Sequence, residues 1–118
     1  MNLNDLAKTV HAANGKWWRD VNTGEPIKRN KGELLALIHS EISEALEGER
    51  KGLRDDKLNQ YMMAPVEIVD AIIRGLDYLA GFHPDVDVQE VFDAKMLYNA
   101  NRVDHSHAHR KLAGGKAF

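Results

Sequence analysis

Hydrophobic residues recur at intervals of three or four in four segments of the chain, at about residues 4–17, 32–50, 65–80 and 87–102. This interval places them on one side of an α-helix, so each segment is predicted to form an amphipathic helix. No stretch of useful length alternates between apolar and polar residues as a half-buried strand does. The pattern therefore predicts an all-α protein, a bundle of four helices. The positions predicted to be buried are Leu3, Leu6, Val10, Ala13, Trp17, Leu34, Leu37, Ile38, Ile42, Ala45, Leu46, Val66, Val69, Ile72, Ile73, Leu76, Ala80, Val91, Ala94, Leu97 and Tyr98.

Turn-forming residues mark where the predicted helices begin and end. A polar, turn-rich stretch at residues 20–26 separates the first two helices. Pro65 is predicted at the first position of the third helix, where its missing N–H costs no hydrogen bond. Gly52 and Gly81 are predicted to follow the last residues of the second and third helices, because glycine readily adopts the backbone conformation that ends a helix.

The chain is predicted to contain one helical domain at residues 1–103 and a polar tail at residues 104–118. A length of 118 residues fits a single domain. The tail is rich in histidine and contains two consecutive glycines, so we expect it to be mobile or to be ordered by a partner. A bundle of this size buries limited apolar surface, which makes self-association an expectation as well.

Composition excludes several classes of protein. The chain has 16 basic and 18 acidic residues, so it lacks the basic excess of a nucleic-acid-binding protein. The absence of cysteine excludes disulfide scaffolds, thiolate zinc sites, iron–sulfur clusters and cysteine nucleophiles. No apolar run approaches the roughly 18 residues that cross a membrane, and the N-terminus does not resemble a signal peptide. We therefore expect a cytoplasmic protein, and its short chain suits a bacterial or phage origin.

Two of the predicted helices carry pairs of acidic residues beside their apolar faces. Glu41 and Glu44 are three residues apart on the second helix, and Glu41 falls within the apolar arc. Glu67 and Asp70 repeat this spacing on the third helix. Burying an unpaired carboxylate is costly, so four inward-leaning carboxylates require a counter-charge. Oxygen ligands favour Mg²⁺ or Mn²⁺, and we expect these four residues to be metal ligands.

The acidic residues also allow two other interpretations. Arg74 lies four residues after Asp70 and three before Asp77, so the third helix could carry a purely structural ridge of ion pairs. A bundle of carboxylates could instead hold two iron ions. That chemistry uses Glu-x-x-His sequences, and no histidine of this chain follows a glutamate by three residues, which makes the di-iron interpretation weak.

Three polar residues share one face of the fourth predicted helix. Lys95, Asn99 and Arg102 lie at positions i, i+4 and i+7. Lysine and arginine supply positive charge, arginine can bind two oxygens at once, and asparagine adds a neutral donor. The face is suited to phosphate oxygens, although cations near a helix C-terminus are also common on solvated surfaces.

These motifs follow one another in a fixed order: Glu41-x-x-Glu44, Glu67-x-x-Asp70 and Lys95-x-x-x-Asn99-x-x-Arg102. In this order they resemble the motifs of the MazG-type all-α nucleoside triphosphate pyrophosphohydrolases. The stretches SEISEALE at residues 40–47, DAIIRGLD at 70–77 and WWRD at 17–20 are also similar to that family. The resemblance covers roughly residues 3–102.

The resemblance implies a helical bundle that assembles as a dimer or as a tetramer of paired dimers. It implies Mg²⁺-dependent cleavage of a nucleoside triphosphate, often a deoxynucleotide, between the α and β phosphates. Under this interpretation the four acidic residues bind metal and the three residues of the fourth helix bind phosphate. Glu41 or Glu44 would orient or deprotonate the attacking water. Many members have a second glutamate where this chain has Ser40, which affects the ligands of a second metal ion.

Base recognition and the class of activity leave alternatives open. Trp17 and Trp18 could stack on a base and Asn14 could bind its edge, but Trp17 also continues the apolar stripe of the first helix, and Trp18 could equally lie in an interface. The chain could instead hydrolyse a nucleoside diphosphate or a modified nucleotide. A non-catalytic helical dimerisation or adaptor module is the remaining alternative, with an acidic ridge that faces solvent.

Overall fold

The computed structural model describes residues 1–117, except for the side chain of Val103, so the last residue of the predicted tail lies outside the described residues. The described chain is all-helical and contains no β-strand, only two isolated β-bridges, which confirms the all-α prediction. Its five α-helices are α1 (Leu3–Ala13), α2 (Lys31–Lys51), α3 (Met63–Phe82), α4 (Val88–Ala100) and α5 (His107–Arg110). Two 3₁₀ helices are formed by Gly15–Trp18 and Val103–His105.

The chain divides into two compact units, Met1–Val86 and Asp87–Phe118. In the first unit α3 packs against both α1 and α2. The second unit contains α4, the second 3₁₀ helix and α5. The predicted tail thus includes a short helix that the sequence pattern did not indicate. Among the described residues, no helix is long and apolar enough to cross a membrane.

Side chains at the helix N-termini explain where the helices begin. Asn2 accepts a hydrogen bond from the backbone N–H of Asp5, whose carboxylate accepts one from the N–H of Asn2 in return. Asn30 caps α2 in the same way, by accepting from the N–H of Glu33. Each contact satisfies a backbone donor that has no partner within the helix. At the other end of α2, Gly52 adopts the left-handed conformation with φ 61°, which confirms the predicted stop.

Helix α3 extends beyond its predicted bounds at both ends. It begins at Met63, so Pro65 is its third residue, still within the first turn where N–H groups lack helical partners. Gly81 was predicted to follow the helix, but it lies within it, because α3 continues to Phe82. The reason for a glycine there is contact with Trp18: a Cβ atom at residue 81 would lie 2.4 Å from Cη2 of the Trp18 ring. Gly81 therefore serves packing rather than helix termination.

The buried apolar core consists mainly of small residues: Ala7, Leu34, Ala45, Ala64, Ala71 and Leu76. Several positions predicted to be buried are exposed instead, namely Ala13, Trp17, Ile42, Leu46, Val69, Ile72, Val91, Ala94, Leu97 and Tyr98. In α4 no residue is buried. Helical spacing shows which side of a helix is apolar, but it does not show whether the same chain covers that side.

Candidate active site

A cleft of about 610 Å³ opens in the first unit. This volume lies in the range of pockets that bind small molecules, roughly 300–1,000 Å³. One part of its lining is ionic and comes from α2 and α3, with Glu41, Asp70, Arg74 and Asp77. Another part comes from the segment before α2 and includes Asn14 and Trp17, two of the residues predicted to bind a base.

Three of the four predicted metal ligands meet beside this cleft. Carboxylate oxygens of Glu41, Glu67 and Asp70 all lie within 4.8 Å of one another. Glu41 and Glu67 are buried and Asp70 is half-buried. They meet because α2 packs against α3, and because Glu67 and Asp70 are one turn apart on the same helix. The fourth residue, Glu44, is exposed, although its carboxyl is close enough to influence Glu67.

Crowding of the carboxylates changes how they bind protons. A hydrogen bond to Glu41, burial and the neighbouring Glu44 raise the pKa of Glu67 to about 8. Burial alone would also raise the pKa of Glu41, but hydrogen bonds with Glu67 and Arg74 outweigh it and lower that pKa. Burial and the charge of Glu41 raise the pKa of Asp70. A proton on Glu67 therefore relieves part of the repulsion between these groups at neutral pH.

Arg74 is the cation of this cluster. Its Nε donates to Oε1 of Glu41 at 2.9 Å, across the contact between α2 and α3. The sequence suggested ion pairs with Asp70 and Asp77 on the same helix. Among the described residues neither pair forms, although the charge of Arg74 offsets part of the rise in the pKa of Asp70. Arg74 also lines the cleft, and its side chain remains 41% exposed. The guanidinium is thus shared between the acidic cluster and the open space.

Asp77 is buried and has polar partners of its own. It accepts a hydrogen bond from Nδ1 of His11 at 2.7 Å and bonds of 3.1 Å from the indole N–H of Trp18 to both carboxylate oxygens. The ring of Trp18 packs edge-on against those of His11 and Phe82. This network attaches the 3₁₀ helix that carries the two tryptophans to α3.

The segment around Trp17 forms one wall of the cleft, where two of the residues predicted to bind a base lie. Trp17 is 60% exposed, so it contributes an open aromatic surface rather than the core contact that the apolar stripe predicted. Arg29 is held there by a 2.9 Å hydrogen bond from Nη1 to the carbonyl of Trp17 and by its position 5.6 Å from the Trp18 ring centroid. Asn14 and Glu33 also line this part of the cleft.

The three predicted phosphate ligands belong to the second unit. Lys95 is exposed, with its ammonium 5.2 Å from the ring centroid of Tyr98, and Asn99 is half-buried. Arg102 makes a two-pronged ion pair with Asp104, Nε to Oδ1 at 3.0 Å and Nη2 to Oδ2 at 2.7 Å. This pair and Lys116, whose Nζ lies 3.1 Å from Oδ2, hold the pKa of Asp104 well below its usual range.

Sequence reasoning missed four residues of the cleft and its supporting network: His11, Ile27, Arg29 and Glu33. His11 and Trp18 reach Asp77 over 66 and 59 positions of the chain, which no local pattern reports. Arg29 lies outside the predicted helices, so helical spacing could not predict which way its side chain points. A usable signal was present in Asp77, because an acidic residue at the edge of an apolar face needs a partner.

The chain matches no protein-family model, no curated protein and no solved structure. The geometry of the cleft is therefore the basis for a functional proposal.

Proposed function

We propose that this protein is a Mg²⁺-dependent nucleoside triphosphate pyrophosphohydrolase similar to the MazG-type enzymes. It would cleave between the α and β phosphates and release a nucleoside monophosphate and pyrophosphate. The observation that carries the proposal is the meeting of Glu41, Glu67 and Asp70, with oxygens within 4.8 Å, beside a cleft that also holds Trp17 and Asn14. The cleft thus combines a candidate cation site with surfaces suited to a base.

The carboxylates fit a small divalent cation. The carboxylate oxygens of the cluster all lie within 4.8 Å of one another, close enough for one small ion to contact all three residues. The cluster contains only oxygen donors, which favours Mg²⁺ or Mn²⁺ over zinc. A bound cation would also relieve the repulsion that raises the pKa of Glu67.

Each residue has a role in the proposed reaction. Glu41, Glu67 and Asp70 would hold the cation, and exposed Glu44 would complete the set or act on water. The cation would neutralise phosphate oxygens and acidify water. Glu41 or Glu44 would orient the attacking water and take its proton.

The predicted ligands that remain fall into two groups. Lys95, Asn99 and Arg102 belong to the second unit, and their role in binding phosphate stays a prediction. Trp17 would stack on the base and Asn14 would bind its edge. Comparison of substrates that differ in base and sugar identifies the nucleotide that the cleft prefers.

Product analysis on a panel of ribo- and deoxynucleoside triphosphates tests the proposal. We expect monophosphate and pyrophosphate with Mg²⁺, loss of turnover with a chelator, and loss of turnover in Glu41→Gln. The variant keeps the size of the side chain but weakens a cation ligand. Glu49→Gln, an exposed change on the same helix, is the matched control and should retain full turnover.

The panel also separates the competing interpretations. If only diphosphates or modified nucleotides are cleaved, the proposed substrate class is wrong but the proposed metal site still stands. If the protein is folded, cleaves no nucleotide, and no divalent cation raises its melting temperature, a helical interaction module is favoured. Normal turnover in Glu41→Gln would refute the assignment of the metal ligands.

We further propose that the chain self-associates through an apolar face of α2 and α3. The face consists of Leu35, Ile42, Leu46, Ile68, Val69 and Ile72, whose exposed fractions run from 43 to 61%. In α2 these residues share one side of the helix, about 110° from the side that carries buried Leu34 and Glu41. Monomeric proteins rarely leave a large apolar patch exposed, so a face of this kind is typical of an interaction surface.

A further inference from the structure

Arg74 has two possible partners on its own helix and binds neither of them. Asp70 lies one turn before it and Asp77 one turn after it, within reach of i,i+4 and i,i+3 contacts. Asp77 is engaged by His11 and Trp18 instead, and among the described residues the ion pair of Arg74 is with Glu41 of α2. The pair is therefore a contact between helices at the acidic cluster.

The Arg74 guanidinium keeps donors available to the cleft. Its Nε is used by Glu41, and among the described residues its two terminal nitrogens have no hydrogen-bond partner. The side chain lines the cleft and is 41% exposed. An arginine with free terminal nitrogens can bind two oxygens of a phosphate group at once.

The acidic cluster creates an electrostatic problem for an anionic substrate. The carboxylates of this cluster repel a triphosphate, and a single divalent cation offsets only part of their combined charge. A cation bound to the Glu41 carboxylate would lie close to the Arg74 guanidinium, which already donates to Oε1. A carboxylate can accept a hydrogen bond and bind a cation at once, but the two positive groups repel each other, so each weakens the binding of the other.

We propose that Arg74 exchanges partners during substrate binding: it is the counter-ion of Glu41 before a divalent cation binds, and afterwards a ligand for a phosphate of the substrate. The inference rests on the proposed function for the identity of the anion, and on the Arg74–Glu41 geometry for the exchange. Its distinctive consequence is opposite effects of one substitution. Loss of Arg74 strengthens metal binding and weakens pyrophosphate binding.

The test uses the full chain and two probes, Mn²⁺ alone and Mg²⁺-pyrophosphate. Free Mn²⁺ is measured by electron paramagnetic resonance, and pyrophosphate binding by calorimetry at saturating Mg²⁺. We expect Arg74→Gln to bind Mn²⁺ at least fivefold more tightly than the natural chain and pyrophosphate at least tenfold more weakly. Arg50→Gln is the matched control, since it removes one arginine of α2 that pairs with Glu47 on the surface. It should change either affinity by less than twofold.

Arg74→Lys separates charge from geometry. It keeps the counter-charge but cannot bind two oxygens through one planar group, so Mn²⁺ affinity should stay within twofold while pyrophosphate affinity falls. Unchanged or weaker Mn²⁺ binding in folded Arg74→Gln would overturn the proposal. If Arg74→Gln does not fold, unchanged pyrophosphate affinity in Arg74→Lys would overturn it.

The outcomes also distinguish this proposal from the proposed reaction. A natural chain that binds Mn²⁺ and pyrophosphate with these responses to substitution, yet cleaves no nucleotide, supports the exchange and refutes the reaction. A chain that cleaves nucleotides while Arg74→Gln leaves Mn²⁺ affinity unchanged supports the reaction and refutes the exchange.

Discussion

At the scale of single residues, the buried carboxylates of α3 differ in what satisfies them. Asp77 has three hydrogen bonds from His11 and Trp18, so its charge is compensated within the fold. Glu67 has other carboxyls as its neighbours and keeps a proton instead. The first arrangement is that of a structural group, and the second is the arrangement that the proposed cation site requires.

Replacement of Asp77 by asparagine should destabilise the protein. The amide is similar in size but is a weaker acceptor, and its NH₂ group faces donors. We expect the free energy of unfolding to fall by about 2 kcal/mol, the magnitude typical of hydrogen bonds to a charged group. Urea unfolding measures it. The exposed residue Asp85 supplies the control, since Asp85→Asn should change stability by less than about 0.5 kcal/mol. Equal values for the two variants would contradict the anchoring role.

The raised pKa of Glu67 predicts how stability depends on pH in the metal-free protein. The folded chain keeps this proton up to about pH 8, whereas the unfolded chain releases it near the ordinary value of 4.5. The folded state therefore binds more protons between these values, and stability falls as pH rises through that window. Burial of an ionised Glu67 beside Glu41 and Glu44 is the physical cause.

Melting temperatures between pH 5 and 8.5, in chelator, check this prediction. Glu67→Gln, which cannot ionise, should show a flatter profile than the natural chain. Mg²⁺ should restore more stability at pH 8 than at pH 5, because it replaces the proton. Parallel profiles for the two chains would show that Glu67 ionises at its ordinary pKa.

At the scale of elements, a 3₁₀ helix meets the end of α3 through a tryptophan and a glycine. The ring of Trp18 occupies the space where a side chain of residue 81 would begin. This contact fixes the segment that leads to Trp17 and Arg29, and so it shapes the cleft wall. Its effect on the site is indirect, through the position of the backbone.

Gly81→Ala should be destabilising although alanine favours helices. A Cβ 2.4 Å from the Trp18 ring forces a shift, and overpacking of this kind costs about 1–3 kcal/mol. Gly75 in the same helix has nothing within 4 Å of a new Cβ, so Gly75→Ala should stabilise by roughly 0.5–1 kcal/mol. Chemical denaturation of both variants gives the comparison. Changes of the same sign would show that Trp18 can move aside.

The sequence predicted these elements better than the contacts between them. The spacing of apolar residues located four helices, and Glu41 was correctly placed among buried positions. The spacing did not reveal that Gly81 contacts Trp18 or that Arg74 binds Glu41, since both contacts join residues far apart in the chain. Local periodicity carries information about helix faces, whereas partner choice depends on how the helices pack.

At the scale of the whole molecule, the notable feature is the exposed apolar face of α2 and α3. The buried core is largely alanine, while six large apolar side chains of α2 and α3 remain exposed. Burial of those side chains against a second copy would add stabilisation of about 25 cal/mol for each Å² of apolar surface. Composition alone could not indicate this, because it counts apolar residues without locating them.

Substitution of the apolar face should convert an oligomer into a monomer. We expect the natural chain to sediment as a dimer or larger species, and Ile72→Glu to sediment as a monomer, because burying an unpaired carboxylate in the interface is costly. Met96→Glu in α4 is a control that changes a similarly exposed apolar residue outside that face. A natural chain that sediments as a monomer at all concentrations would refute the interface.

The small residues between α2 and α3 have a consequence for the ion that the site would choose. Gly48 lies against Met63 and Ala64, so closely that a Cβ atom at residue 48 would be 3.0 Å from the Met63 side chain, and Ala71 lies one turn from Glu67. These residues let the two backbones approach closely. Under the proposed function, that approach would set the distance between Glu41 and the two carboxylates of α3, and with it the ionic radius that the site prefers. Widening the gap with a bulkier residue at position 71 would shift preference from Mg²⁺ towards the larger Ca²⁺, while every ligand stayed the same.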